Sequence, residues 1–384
     1  MESKLTRTFH AVGHGAFYTE RHFFNNTEFT VVYDCGSMSI KAVDREKKIE
    51  LAFPKGHSID ILFISHFHAD HINGIKFLVK NYKIKKVVLP LVDNQTKVLL
   101  KVENFINHDF LDTLLINNPE EFFGNDIIII KVKPTEINPN TDEVALDNPV
   151  YLSEISKSRT ITSGTVLSPY VGIDWIFIPL NYEYNERKKI FEDALKIYNL
   201  TFDDIDIAIR SENKKKNNDI IEAYKSVTGD LNQNSMILYS GKKSSGYICC
   251  LDRVHDYHVK IGCLYMGDIN LKKEDIVLDI NAKLKKVLPF IGTLQIPHHG
   301  SDDSFNISIL PPNMCCAIFS FGKNNNHGHP SQSVVFDIEK KFIFPHLVTE
   351  DTNSTVVQMS QCCINYPISP RGYDVFCKSS VFSK

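Results

Sequence analysis

The chain has 384 residues, 43% of them hydrophobic and 23% charged, with a formal net charge of −3. That composition is of an ordinary globular protein with ample material for a core, and it excludes a disordered or fibrous chain and any global pull toward nucleic acid. The opening stretch M-E-S-K-L-T-R-T-F-H lacks the apolar run of a secretion signal, and no later run approaches the roughly 20 residues needed to span a bilayer, so a cytoplasmic protein with no membrane partner is expected. Nine cysteines, six of them in the neighbouring pairs Cys249-Cys250, Cys315-Cys316 and Cys362-Cys363, show no C-x-x-C spacing and read as reduced thiols.

In chain order, Thr8 to Val12 reads as a strand, Gly13, His14 and Gly15 as a glycine turn leading into a second strand, and Phe29 to Asp34 as a third. His14 reads either as a substrate contact or as a surface residue of that turn, with the surface reading preferred. Asp34, before Cys35 and Gly36, reads equally well as a turn residue or as a carboxylate placed at a strand end.

The apolar run Ile59 to Ile64 is too short for a helix and ends in Ser65, His66, Phe67, His68, Ala69, Asp70 and His71. Four side chains able to bind a cation thus leave one strand end within six positions. His66 and His68, two apart, share one side of an extended backbone, while Asp70 and His71 fall where Gly74 and Ile75 to Lys80 begin a helix. One strand end can therefore serve two cations. Imidazole with carboxylate suits zinc, and also manganese or iron, better than calcium or magnesium. A lone histidine at a strand end is usually just hydrogen-bonded; four metal-binding groups so spaced are not that common accident.

Strand Lys86 to Leu91 continues the strand-helix-strand alternation of an α/β protein. Residues 92–157, with a helical stretch Val98 to Leu115, a buried run Ile127 to Val132 and a polar segment Pro134 to Asn148, read as an insertion, and His108 within it has no motif partner. Strands at Thr165 to Leu167 and Asp174 to Leu180 precede an amphipathic helix Tyr184 to Leu200, and Glu212 to Asn218 reads as a solvated loop. A second strand series follows at Leu231 to Ser240, with a hairpin turn from Gly241 to Gly246, then at Tyr247 to Leu251 and Lys260 to Met266. That last strand delivers Asp268 after Gly267, a carboxylate able to bridge two cations. Helix Lys272 to Val287 leads to strand Gly292 to Ile296, which delivers Pro297, His298, His299, Gly300 and Ser301. The strand Cys316 to Phe321 ends in a polar loop that carries His329 either over the pocket or onto the cap of the helix after Pro330.

S-H-F-H-A-D-H resembles the H-x-H-x-D-H signature of the metallo-β-lactamase fold hydrolases. L-Y-M-G-D-I, I-P-H-H-G-S and S-F-G-K-N-N-N-H-G-H-P-S resemble, within that family, the hydrolase domain of the DNA-uptake competence protein ComEC and its soluble stand-alone relatives. The resemblance implies a four-layer αββα sandwich over residues 1–359, with 92–157 inserted and 360–384 as a C-terminal extension. It implies two divalent transition-metal ions, zinc first and manganese second. His66 and His68 would hold one, Asp70 and His71 the other, and Asp268 would lie between them. One of His298 and His299 would complete the second site, with the other contacting substrate, and the residues leave open which is which. Asp34 would support the metal loop, Asp70 and the paired histidines would move protons, and Ser301 and His329 would meet substrate. The third histidine motif of most two-zinc members is missing, unless His108 supplies it.

The activity so implied is water-driven hydrolysis, first of a phosphodiester in nucleic acid or a nucleotide, as a phosphodiesterase or nuclease. The alternatives are a lactone, thioester or β-lactam hydrolase, and a catalytically quiet metal-binding sensor. Motifs of this kind identify a fold better than a substrate.

Overall fold

The structure, a computed structural model, describes residues 2–24, 27–107, 113–182, 185–210, 214–227, 235–243, 260–363 and 376–383. Its frame is two facing sheets. The first runs Arg159–Ile161, Ile128–Val132, Lys86–Pro90, Ile61–Phe63, Thr27–Cys35, Phe17–Phe24, Glu2–Phe9, Val356–Cys363, Phe376–Ser383. The second runs Phe344–Val348, Cys316–Ser320, Ile291–Gln295, Gly262–Tyr265, Met236–Gly241, Ile176–Asn181, Leu167–Ser168, Val150–Tyr151.

The period-two alternation of side chains on a strand explains why the sheets stack as they do. Val31 and Tyr33, Ile61 and Phe63, and Val88 face a core shared with Phe177, Leu238, Cys263, Tyr265 and Ile318 of the other sheet. Their neighbours Val32, Leu62 and Val87 face outward onto helices, meeting Ile49, Leu78, Leu99, Phe191 and Ile220. On the far side Ile178, Ile237, Leu264 and Leu294 meet Ile276 and Ile280 of helix Glu274–Lys283 and Val334 and Ile338 of helix Gln332–Lys340. Strands apolar on both faces must be covered on both faces, so the layers are helix, sheet, sheet, helix, as expected.

Several boundaries shift. The first strand is Glu2–Phe9, earlier than the Thr8 to Val12 read from sequence, and residues 10–16 form the turn before Phe17. The lysine-rich run is no loop: Lys214–Lys225 is a helix whose exposed first turn holds Lys214, Lys215 and Lys216 while Ile220 and Ala223 are buried. The charges that suggested a loop are that helix's solvated face. Ile128–Val132 pairs in parallel with Lys86–Pro90, so part of the segment set apart at 92–157 extends the first sheet. Val356–Cys363 pairs with Glu2–Phe9 and continues unbroken across position 359. The expected strand Tyr247 to Leu251, most of the Gly241 to Gly246 turn, Glu212, Tyr184, Cys249, Cys250 and His108 lie outside the described residues. Cys35, Cys263, Cys315 and Cys316 are free thiols, and among the described residues no helix is long and apolar enough to cross a membrane.

Between the sheets, Arg7 and Glu20 form a buried ion pair at 2.7 Å, each 1% exposed. Glu20 Oε1 also accepts from Tyr265 Oη at 2.8 Å, while Oε2 accepts from Ser240 Oγ at 2.7 Å and lies 2.9 Å from His22 Nε2. Burial pushes the Glu20 carboxyl up, but Arg7 and His22 outweigh it and hold the group well below the usual carboxylate range. Glu20→Ala strands a buried guanidinium and is expected to cost about 3–5 kcal/mol in urea unfolding. Because the folded pKa is depressed, the carboxylate's contribution is complete above the ordinary carboxylate pKa and lost as pH falls below it. The gap in urea midpoint between wild type and variant should therefore narrow in acid.

Candidate metal centre

Parallel strands discharge their C-terminal ends at one edge of the sandwich, the place where loops of an α/β sheet can converge. Thr27–Cys35 brings Asp34, Ile61–Phe63 brings the Ser65 to His71 loop, Gly262–Tyr265 brings Asp268, and Ile291–Gln295 brings His298 and His299. Ligand atoms of Asp70, His71, Asp268 and His299, all buried, lie within 4.8 Å of one another. His299 Nε2 is 3.1 Å from Asp70 Oδ2, and His71 Nε2 is 3.2 Å from Asp268 Oδ1. His66 stands beside them, its Nε2 3.9 Å from Asp268 Oδ2 and its ring 4.2 Å from that of His71.

The loops are held by hydrogen bonds among the chain's own residues. Asp34, at φ +55°, accepts Ser65 N at 2.7 Å and Ser65 Oγ at 2.6 Å, and meets His71 Nδ1 at 2.8 Å. The single Ser65 hydroxyl proton goes to Asp34, so Ser65 Oγ accepts from His66 Nδ1 at 2.8 Å. Both imidazoles thereby keep a proton on Nδ1 and turn Nε2 toward the cavity. His299 does the same by donating Nδ1–H to Ser320 O at 2.8 Å. On the second sheet Gln295 receives the backbone N–H groups of Met266 and Gly267 at 2.7 and 2.8 Å and donates to Gly267 O and Ile296 O, which locks the Asp268 loop onto the His298 loop. Gly267 sits at φ +54°, and a Cβ there would come within 2.9 Å of Ser65 Cβ, so glycine is what lets the two ligand loops approach.

The residues fit a cation. His66 Nε2, His71 Nε2 and both Asp268 oxygens are buried without a hydrogen-bond partner, a costly state for polar atoms that an ion between them would relieve. Burial keeps the His66 imidazole well below its ordinary pKa. Burial also opposes charge on His71, but Asp268 and Asp70 override it and raise the group well above its ordinary value. Burial works against Asp268 and Asp70 in turn, yet His71 and His299 hold both carboxyls below their usual range.

Of the remaining sequence candidates, His68 lies outside the four-residue cluster and its Nε2 is 2.8 Å from Glu103 Oε2. His298 is half-buried with Nδ1 2.8 Å from Ser304 Oγ. It is thus His299, not His298, whose imidazole joins the cluster. Ser301 is buried and tied by its backbone to His298 and Phe305. His329 reaches the site's mouth, its ring 5.6 Å from that of His298 and 6.4 Å from that of His299, and burial with these neighbours pushes it down to about 4. His14, expected at the surface, is the clear correction: its ring lies 3.9 Å from that of His299, and Nε2 is 3.8 Å from Asp70 Oδ2. Gly15, at φ +138°, passes so close to Asp70 O that a Cβ would sit 2.4 Å away, and this approach carries His14 over the cluster. The G-H-G spacing is the signal that could have found it. His327 stands 5.9 Å from His14 and 5.7 Å from His329, completing an arc of imidazoles around the mouth.

Residues 22–143, with the Ser65 to His71 motif among them, match the family model of the metallo-beta-lactamase superfamily. The structure is similar to YhfI, a metallo-beta-lactamase fold protein of Bacillus subtilis, at 9% identity over 92% of this chain and 99% of that one with a TM-score of 0.37. It is also similar to unliganded yeast PDE1 (9% identity, 93% and 99%, TM-score 0.43) and to the short form of human tRNase Z (10%, 90% and 92%, TM-score 0.35). These likenesses concern the fold alone. No curated protein matches the chain in sequence.

Asp34→Ala removes the group that orients His71 directly and His66 through Ser65. It is expected to weaken binding of zinc or manganese by about 10–100-fold in competition with a chromophoric chelator.

Proposed function

We propose, taking the superfamily match at residues 22–143 as the premise, that this protein is a metal-dependent hydrolase of phosphodiesters. The observation that carries the reading is the buried cluster Asp70, His71, Asp268 and His299 with its unpartnered ligand atoms. Asp70, His71 and His299 would hold one divalent transition-metal ion, His66 and His68 a second, and Asp268 would reach both. Bound cations supply an activated water at neutral pH and offset charge growing on the attacked group. The chain's own residues do the rest. Asp268 Oδ1 lies 3.2 Å from His71 Nε2, and Oδ2 lies 3.6 Å from His299 Nε2 and 3.9 Å from His66 Nε2, so this carboxylate stands among the ligands of both sites. Asp70 Oδ2, the closest carboxylate oxygen to His299, is the acceptor for the water's proton. His298, held by Ser304 outside the cluster, is the donor to the leaving oxygen.

The arc of His14, His298, His327 and His329 favours a phosphoryl group over a carbonyl, because several N–H donors ring the mouth and a phosphodiester offers several oxygens to receive them. A nucleotide or nucleic-acid strand is the substrate class we assign. The free thiols Cys35, Cys263, Cys315 and Cys316 suit a reducing cytoplasm.

Asp70→Ala and Asp268→Ala should each abolish turnover of bis-p-nitrophenyl phosphate while the far-UV circular dichroism stays that of the wild type; undiminished turnover in either variant would overturn the mechanism. His14→Ala should lower kcat/KM on the same substrate by about tenfold or more, the worth of a hydrogen bond to a charged group. A panel of single-stranded DNA, duplex DNA, RNA, cyclic nucleotides and lactones then distinguishes phosphodiester from carbonyl hydrolysis.

A further inference from the structure

The imidazoles of the ligand loops are anchored at Nδ1 by their own strand-end surroundings, whereas His68 is anchored at Nε2. His66, His71 and His299 are held at Nδ1, by Ser65 Oγ, Asp34 Oδ2 and Ser320 O, each at 2.8 Å. His68 is held at Nε2 by Glu103 Oε2, also at 2.8 Å, with both side chains 14% exposed. Glu103 belongs to the helix Asn94–Asn107, outside every strand-end motif. It is itself supported by a hydrogen bond from Tyr224 on helix Lys214–Lys225 and by the charge of Arg187 on helix Asn185–Ile197. Three helices of the outer layer thus meet at the carboxylate that holds one histidine of the metal motif.

We infer that Glu103 is a positioning residue of the metal centre. By accepting Nε2–H from His68 it leaves Nδ1 as the nitrogen with which that ring meets a cation beside His66, and it makes the outer helices part of the centre. The physical argument is the one that governs Asp34 and His71. A carboxylate on the distal nitrogen fixes the tautomer, orients the ring and raises the basicity of the ligating atom. The ring of His68 stands 5.0 Å from that of His66 at 74°, an edge-on arrangement in which the choice of nitrogen decides where the lone pair points. This inference rests on the proposed metal-dependent reading, and it concerns the site that would otherwise be short of a ligand histidine. It predicts that loading that site stiffens a helical layer far from the motif in sequence.

The test uses the full chain and zinc alone. In metal-free wild type at pH 8, long-range proton–nitrogen correlation of histidine-labelled protein, with His68→Asn to assign the signal, should find His68 protonated on Nε2. Glu103→Ala should bind the weaker zinc equivalent about 10–100-fold less tightly, with the tighter equivalent unchanged, and Glu103→Gln, which keeps an accepting oxygen, should recover part of the loss. Hydrogen exchange in residues 94–107 should slow on zinc addition in wild type and not in Glu103→Ala. An Nδ1-protonated His68, or a Glu103→Ala variant that titrates as wild type, would overturn the inference. If Glu103→Ala does not fold, the wild-type tautomer still decides. A wild type that takes up no zinc would instead defeat the hydrolase reading, while the tautomer measurement would still decide whether Glu103 orients His68.

Discussion

The carboxylate of Asp34 is the constraint on which the site depends. It stands in a left-handed backbone conformation that non-glycine residues adopt only at a cost of about 1–3 kcal/mol, and the contacts to Ser65 and His71 hold it there. Those contacts join the end of one strand to the loop leaving its parallel neighbour, and they set two imidazoles at once. His298 and His299 also have positive φ, at +48° and +56°, so backbone strain gathers where ligand atoms must converge. The surrounding sandwich over-determines these conformations. Met236 N donates to Ser65 O at 2.8 Å and Tyr33 Oη to Met236 O at 3.1 Å, stitching the two sheets together beside the centre.

The inter-sheet core does more than exclude water. Tyr265 stacks on Tyr33 at 4.7 Å and on Tyr18 at 5.9 Å, and Tyr18 Oη donates to Ser320 Oγ at 2.9 Å. Ser320 is the residue whose carbonyl holds His299. At the other end of this column Tyr265 bonds to Glu20, the partner of Arg7. A rigid set of aromatic rings therefore connects the buried ion pair to the ligand loops, and the geometry of the centre is backed by packing on both sheets rather than by the loops alone.

What is legible in the sequence is whatever rests on local pattern. Short apolar runs ending in His, Asp and Gly announce strand ends, and the order of Asp34, the His66 to His71 motif, Asp268 and the paired histidines is enough to place a convergent centre and a layered α/β fold. The choice between His298 and His299 is hidden because it turns on which ring lies against Ser320, a residue on the next strand. His14 is hidden because its role comes from the close pass of Gly15 to Asp70, a contact between distant parts of the chain. Glu103 carries no signal at all: a glutamate on an amphipathic helix reads as solvated surface, and only the packing of that helix beside His68 gives it a partner. The helix at Lys214–Lys225 escapes for the opposite reason, since its charged first turn masks the apolar face that anchors it.

Ser65 Oγ has a single proton and serves both Asp34 and His66, so the identity of position 65 is bound to two others. Replacing any of the three side chains alters the hydrogen bonds of the other two together. Positions 34, 65 and 66 are thus coupled through the count of protons they share, a constraint of donors and acceptors more than of volume.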